Sequence, residues 1–302
     1  MAIVGGHFAV GQALLEKGAD SNMVDWYGRT PLHYATGRGR EEFVKLLLDY
    51  GVDINLKDNN GATPLITAVA ERHDSIVRLL LNYKPQLDSQ DNFGETALIC
   101  AVRRGSDEAL SLLLQNGSDL NIQCRKGMTA LIRAALVRDI EKARLLLAAK
   151  PQIDLRNNGA HLDIEDNDGQ TALLFAMQYN HEAVTALLIR SGANVEAAID
   201  KGGWFPLYHA VDRSWSNIVR QLVAKGADVN RQDVDGKTAL IYGCIYSSST
   251  DCARSLLKCS AQLDIQDDWG RTALMCAAQS CYDEMVIILL ESGADWKVRD
   301  NE

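Results

Sequence analysis

The sequence predicts an all-α solenoid of about eight full helix-turn-helix repeats plus an N-terminal half repeat. Three observations support this: a recurring leucine after a helix-start motif, a small residue three positions later, and a near-constant interval. The intervals between successive leucines are 33, 33, 33, 42, 34, 33 and 34 residues. A sustained period of this size is the signature of a stacked array. The leucines are Leu32, Leu65, Leu98, Leu131, Leu173, Leu207, Leu240 and Leu274.

Each repeat opens with a tight turn, as in 25–28. Seven of the eight turns place Asp three residues before a glycine, and Cys124 takes that position in the other one. The glycine permits the positive φ of a turn tip. The threonine two residues later, such as Thr30, is a helix N-cap, and Pro or Ala follows at the first helical position. The leucine and the small residue then share one face of a short first helix.

A second helix follows in each repeat after a short turn. In the first full repeat the turn is 36–39 and the helix is 41–50, with a wide apolar face. Gly51 stands where a glycine that ends a helix is expected. The extended segment 52–55 then leads into the next turn.

This unit resembles the ankyrin repeat. Residues 30–35 read Thr-Pro-Leu-His-Tyr-Ala, and residues 226–230 read Gly-Ala-Asp-Val-Asn, which match two hallmarks of that 33-residue repeat. The resemblance covers nearly the whole chain and implies helix pairs linked by β-hairpin-like loops. The signature histidine occurs only at His33, so we expect packing, and not a Thr–His network, to fix the other first helices.

The register divides the chain as one solenoid over 1–302. We expect a partial repeat at 1–25, with a second helix that lacks its first, and then full repeats at 26–58, 59–91, 92–124, 125–166, 167–200, 201–233, 234–267 and 268–302. Solenoid ends normally carry polar capping repeats, but the helix at 285–290 is apolar. We therefore expect a fragment, a short gene product or one end of a longer protein.

The 42-residue step contains an insertion. It places 42 − 33 = 9 extra residues at 153–161, in the hairpin between repeats four and five. Insertions in such arrays often map to the binding face. A longer hairpin without a role explains the insertion equally well.

Composition argues against several classes of function. The formal charge is −9, which disfavours nucleic-acid binding, and no apolar run is long enough for membrane insertion. Seven Cys without a Cys-x-x-Cys motif indicate reduced thiols in the cytoplasm or nucleus. The six His lack metal-site spacing, and nucleotide-binding and hydrolase motifs are missing. The sequence therefore predicts no enzyme activity, cofactor or metal.

The resemblance implies that partner proteins bind the concave surface formed by hairpin tips and first helices. Aromatic residues and Arg dominate interface hot spots, although single exposed apolar residues are common on any surface. Trp215 and Trp296 fall elsewhere in the repeat, where we expect packing. The candidate contact residues are Trp26, Tyr27, Arg29, Tyr34, Asn59, Phe93, Arg125, Lys126, Arg133, Phe175, Trp204, His209, Tyr242, Trp269 and Arg271.

Repeat four carries a basic band. Residues 121–162 contain eight basic and three acidic side chains, a local charge of 8 − 3 = +5. Such a band could bind an acidic or phosphorylated segment. The simpler alternative is a solvated helix face.

The sequence thus predicts a protein–protein interaction module, an adaptor or scaffold, in the cytoplasm or nucleus. The alternative is a substrate-recruiting or regulatory arm of a larger multidomain protein, such as a ubiquitin-ligase subunit or signalling enzyme. The presence of further repeats or domains in a longer parent chain would favour this alternative over a separate adaptor or scaffold.

Overall fold

The structure is a computed structural model that describes residues 2–104, 106–149, 159–197, 204–247 and 249–301. These residues form eighteen α-helices and contain no strand. Most helices alternate between a shorter first helix and a longer second helix of one repeat. The helices are α1 Ala2–Gly5, α2 Phe8–Glu16, α3 Pro31–Gly37, α4 Glu41–Asp49, α5 Pro64–Ala70, α6 Asp74–Leu81, α7 Ala97–Arg104, α8 Asp107–Gln115, α9 Ala130–Leu136, α10 Ile140–Ala148, α11 Ala172–Gln178, α12 Glu182–Ser191, α13 Pro206–Asp212, α14 Ser216–Ala224, α15 Ala239–Tyr246, α16 Thr250–Lys258, α17 Ala273–Gln279 and α18 Asp283–Glu291.

The chain divides into two compact units, unit 1 at Met1–Gly169 and unit 2 at Gln170–Glu302. In unit 1 the first helices α1, α3, α5, α7 and α9 pack one on the next, and so do the second helices α2 to α10. In unit 2 the same order holds for α11, α13, α15 and α17, and for α12, α14, α16 and α18. Each unit is therefore a stack of helix pairs, as the α-solenoid prediction requires.

The motif leucines and small residues form the core of each stack. Leu32, Leu65 and Leu98 are at most 1% exposed, and Ala35 and Ala68 are fully buried. Burying a leucine side chain contributes about 1.5–3 kcal/mol, and an alanine between two helices lets them approach closely. The repeated leucine and alanine thus account for both the stability of the stack and its spacing.

The motif threonines cap the first helices as predicted. The Thr63 hydroxyl accepts from the backbone N–H of Ile66 at 3.3 Å, and Thr129 accepts from Ile132 at 3.2 Å. Such a cap satisfies a helix N–H that has no partner within the helix. Phe205 replaces the threonine before α13, which begins without a side-chain cap.

A side-chain network between repeats occurs at two of the signature positions. The backbone N–H of Thr30 donates to Nδ1 of His33, and Nε2 of His33 lies 2.9 Å from the carbonyl oxygen of Ala62 in the next repeat. Tyr208, at the equivalent position, donates its hydroxyl to the carbonyl oxygen of Lys237, the residue equivalent to Ala62. Tyrosine therefore replaces histidine in this role, whereas the sequence predicts the network at His33 alone.

The two irregular segments are only partly described. The first helix expected to be missing from the N-terminal partial repeat is present as the short α1, which packs against α3. Residues 153–158 of the predicted insertion lie outside the described residues. On their far side, the N–H of His161 donates to Oδ1 of Asn121 at 2.8 Å, so the chain rejoins repeat four there.

Among the described residues, no helix has the length and apolar character needed to cross a membrane.

Candidate functional site

The hairpin tips are built by the recurring aspartates. Oδ1 of Asp58 accepts from the N–H groups of Asn60 and Ala62, both at 2.9 Å, and Asp91 repeats the pattern. Each aspartate thus binds the backbone of its own turn, and the side chains between it and the glycine, such as Asn59 and Asn60, are exposed. Glycine is required at Gly61, where φ is +75° and a Cβ would come within 2.8 Å of the backbone of the next tip.

Asn59, a predicted contact residue, joins two tips. Its side-chain amide donates to the carbonyl oxygen of Trp26 at 2.9 Å, and its backbone N–H donates to that of Tyr27 at 2.9 Å. Asn92 makes the same side-chain bond to Asn59. The Asn59 side chain is exposed, but its hydrogen bonds give it a structural role between repeats.

Three predicted aromatic residues at the tips are strongly exposed. Trp26 is 97% exposed, Phe93 69% and Trp269 49%. The aspartate of each turn binds the backbone beside these rings, at the N–H groups of Tyr27, Phe93 and Trp269. An exposed indole of this kind contributes little to the core and is available for contact.

The first full repeat groups four of the predicted residues. The Tyr34 hydroxyl donates to Oδ2 of Asp25 at 2.6 Å, and this bond lowers the pKa of Asp25 and raises that of Tyr34. The Arg29 guanidinium lies 5.8 Å from the ring centroid of Tyr27 and 5.9 Å from that of Tyr34, within cation–π range. Trp26 and Tyr27 project from the same turn.

The predicted basic band is partly engaged in ion pairs within unit 1. The Arg133 guanidinium lies 3.1 Å from Oε1 of the buried Glu95. Lys142 is buried and pairs with Asp139 and, at 3.2 Å, with Asp107. Two of its members, Lys150 and Arg156, lie outside the described residues. Arg125 and Lys126 are exposed at the tip, and Arg138 and Arg144 are exposed beside or on α10.

A potential ligand cluster in unit 1 is an ion-pair network. Asp91, Glu95 and Cys100 bring ligand-type atoms within 4.8 Å of one another. Both carboxylate oxygens of Glu95 are engaged by guanidinium groups, from Arg103 at 2.9 Å and Arg133 at 3.1 Å. Burial and the Glu95 charge raise the pKa of Cys100 to about 12. The cluster is therefore explained by structural ion pairs and a protonated thiol.

Unit 2 brings several predicted residues together. The ring centroids of Trp204 and His209 are 5.2 Å apart, and those of Trp204 and Tyr242 are also 5.2 Å apart. Trp204 and His209 are half-buried, whereas Tyr242 and Phe175 are only 7% exposed each. Tyr242 and Phe175 therefore contribute mainly packing contacts with neighbouring side chains and offer little surface to a partner protein.

The last tip places an indole between two cations. Nζ of Lys237 lies 5.2 Å from the ring centroid of Trp269, and the Arg271 guanidinium carbon lies 4.9 Å from it. Lys237 is paired with Asp235 at 2.7 Å and Arg271 with Asp267 at 2.8 Å. These contacts hold Trp269 in one orientation at the surface.

Two exposed aromatic residues of unit 2 are not among the predicted contact residues. Tyr179 is 51% and Tyr246 58% exposed, each four residues after a predicted contact residue, Phe175 and Tyr242. That spacing places them on the same helix face as the predicted residues, and it is the sequence signal that could have identified them.

The prediction that Trp215 packs is confirmed, because it is 9% exposed, but the same prediction for Trp296 is wrong, because it is 71% exposed.

Comparison with known families agrees with this architecture. A family model for ankyrin repeats in three copies matches residues 1–91, 83–157, 152–233 and 216–300. The chain therefore belongs to the ankyrin-repeat family. Ankyrin repeats are generally protein–protein interaction modules, and proteins built from them are typically not enzymes. No match was found among curated proteins.

Proposed function

We propose that this chain is an adaptor or scaffold that binds partner proteins on the surface formed by its hairpin tips and first helices. The exposure of Trp26, Phe93 and Trp269 at the tips carries the proposal. Large aromatic residues bury much area for little loss of side-chain entropy and dominate interface energetics. Stacked repeats add preorganisation, which lowers the cost of binding. In this role the chain has no catalytic part and works in the cytoplasm or nucleus.

The proposal is tested by affinity capture with cross-linking on the full chain. Changing Trp26, Phe93 and Trp269 together to Ala should abolish or strongly weaken capture of partners, with little change in the melting temperature. Trp296→Ala is the matched control, because this tryptophan is also exposed but lies away from the tips. The proposal is wrong if the triple variant captures every partner at wild-type strength, or if cross-links avoid the tips and first helices.

We also propose a narrower acidic-partner site at repeat four. Arg125 and Lys126 are adjacent and exposed, and cations on one surface favour an acidic or phosphorylated segment. Reversing both charges, Arg125→Glu with Lys126→Glu, should weaken binding of an acidic or phosphorylated segment and reduce its salt dependence. Binding of phosphorylated peptides unchanged by the reversal would contradict this site.

A further inference from the structure

Two second helices, α2 in unit 1 and α18 in unit 2, each carry an exposed apolar face. In α18, Ile287 is 54% and Leu290 44% exposed, and Trp296 beyond the helix is 71% exposed. In α2, Val10 is 53% and Leu14 51% exposed, and the neighbouring Ala9 is exposed as well. We call these two surfaces the α18 face and the α2 face.

The α18 face corresponds to a surface that the next repeat covers elsewhere in the stack. Counted from the glycine after each second helix, Leu290 is equivalent to Leu48 and Trp296 to Ile54. Leu48 is only 6% exposed and Ile54 only 9%, and α4, which carries Leu48, packs against α6 of the next repeat. The α18 face therefore has the residues of a surface that receives another second helix.

The α2 face corresponds to the surface that a second helix turns toward the preceding repeat. Phe43 in α4 is equivalent to Val10 and is 3% exposed, and its ring centroid lies 5.3 Å from that of Phe8 in α2. Leu47, which is equivalent to Leu14, is 1% exposed. The α2 face is therefore the counterpart of the α18 face in the packing of consecutive repeats.

One pair of positions matches the two faces to each other. Between α6 and α8, the Arg78 guanidinium lies 2.6 Å from a carboxylate oxygen of Glu108, and α16 and α18 form the same ion pair at 3.6 Å. The position of Arg78 is Ile287 on the α18 face, and the position of Glu108 is Ala9 on the α2 face. Both members of the ion pair are thus replaced by apolar residues, so neither face would bury an unpaired charge of the other, which would be costly.

The charges near the two faces favour contact between unlike faces. The helix α18 begins with Asp283 and Glu284 and ends with Glu291, whereas residues 1–15 contain no acidic side chain. Two α18 faces brought together would juxtapose like charges, which is unfavourable. An α2 face meets the α18 face without that repulsion.

We propose that the α2 face of one copy binds the α18 face of a second copy, so that the chain associates with itself head to tail. The contact reproduces the packing of consecutive second helices within each unit, with Ile287 against Ala9 in place of an ion pair. It is heterologous, because each partner contributes a different surface. These faces are separate from the hairpin tips and first helices, so the inference does not rest on the proposed function.

Sedimentation velocity of the full chain tests the inference at concentrations up to about 100 μM, because modest protein interfaces associate in the micromolar range. We expect larger species to grow with concentration and to persist at high salt, since the contact is apolar and is not screened. Ala9→Glu and Ile287→Glu each place a charge in the contact and should each weaken self-association roughly tenfold or more. Both positions are exposed, so the melting temperatures should stay close to that of the wild type.

Mixing the two variants identifies the faces that meet. Ala9→Glu keeps an intact α18 face and Ile287→Glu keeps an intact α2 face, so the mixture should form dimers and nothing larger. The chain that carries both substitutions should stay monomeric. Phe93→Ala, an exposed change at a hairpin tip, is the control and should associate like the wild type.

A wild-type chain that stays monomeric at every concentration would overturn the inference. A mixture of the two variants that stays monomeric would also overturn it. Loss of association in Ile287→Glu but not in Ala9→Glu would indicate contact between two α18 faces and would contradict the head-to-tail pairing. Association that disappears at high salt would contradict an apolar contact.

Discussion

Glutamine side chains beside the hairpin tips bind backbone groups of their own tip and of the next tip. The side-chain amide of Gln90 donates to the carbonyl oxygens of Gly94 at 2.7 Å and Gln123 at 3.0 Å. Gln123 repeats the arrangement with Gly127 and Glu165. These bonds satisfy carbonyl groups that would otherwise need water, so each tip stabilises its neighbour.

Cys124 occupies the aspartate position of its tip and leads to a stability prediction. Aspartate fits there, because Asp58 and Asp267 are buried to a similar degree in the equivalent positions. We expect Cys124→Asp to add hydrogen bonds to the N–H groups of Lys126 and Met128. At about 0.5–1.5 kcal/mol for each bond, the urea midpoint should rise. Cys124→Ser, whose side chain is shorter, serves as the control, and a lower midpoint for the aspartate variant would contradict the prediction.

His33 gives stability a dependence on pH. Burial lowers the pKa of His33 below its ordinary value of 6.5, and Nδ1 must be unprotonated to accept from the N–H of Thr30. The unfolded chain therefore binds the proton more readily, so this contribution is complete above about pH 6.5 and is lost as the pH falls toward the lowered pKa.

We expect His33→Ile to reduce the loss of stability between neutral pH and about pH 5. Isoleucine fits the site, because Ile66 and Ile99 occupy the equivalent buried positions. Urea unfolding at several pH values measures the effect. Parallel pH profiles for the variant and the wild type would show that His33 does not titrate in this way.

Helices begin by different means in different repeats. Most first helices start at a threonine cap, but α13 starts at Phe205, which is 7% exposed. The Arg231 guanidinium carbon lies 3.3 Å from the centroid of the Phe205 ring, and Arg231 also pairs with Glu196. Packing and a cation–π contact therefore replace the cap in this repeat.

The exchange Phe205→Thr separates these two contributions. A threonine cap adds about 0.5–2 kcal/mol, whereas removal of a buried phenylalanine ring costs about 3–5 kcal/mol. We expect the variant to be less stable, although it restores the residue found in the other repeats. Thermal unfolding measures the change, with Arg231→Met to isolate the cation. An unchanged or higher melting temperature would show that capping outweighs packing here.

At the scale of the whole molecule, helices contact their neighbours in the sequence of repeats. In unit 1, α7 packs against α5, α8 and α9, and the same nearest-neighbour order holds through unit 2. The stability of such an array approximates a sum of repeat and interface contributions. Damage to one repeat should therefore spread mainly to the adjacent ones.

Leu98→Ala tests this locality. Leu98 is 1% exposed in α7, so its truncation should cost about 2–5 kcal/mol. We expect hydrogen exchange to accelerate most in α7 and in the neighbouring α5 and α9, and least in α3. Exposed-site variants such as Phe93→Ala should leave exchange unchanged. A uniform loss of protection across unit 1 would indicate a single cooperative block instead.

Much of the fold could be predicted from the sequence because the same local signals recur in almost every repeat. Thr63 marks a helix start, Gly61 a turn and Leu65 a buried face, and each signal depends on residues close in the chain. Which side chains of the candidate site are exposed to solvent could be predicted less well. Phe175 and Tyr242 were expected to face a partner but are buried, and Trp296 was expected to pack but is exposed.

The sequence by itself determined the ankyrin-repeat solenoid, its register and the capped start of most helices, since these follow from short-range hydrogen bonds and the burial of periodic leucines. Tertiary structure decided which aromatic and charged side chains reach solvent. Glu95 pairs with Arg133, and Trp204 contacts Tyr242, and in each pair the two residues lie in different repeats, 38 residues apart in the sequence. Such contacts depend on which side chains the stack brings together, and the spacing within one repeat does not contain that information.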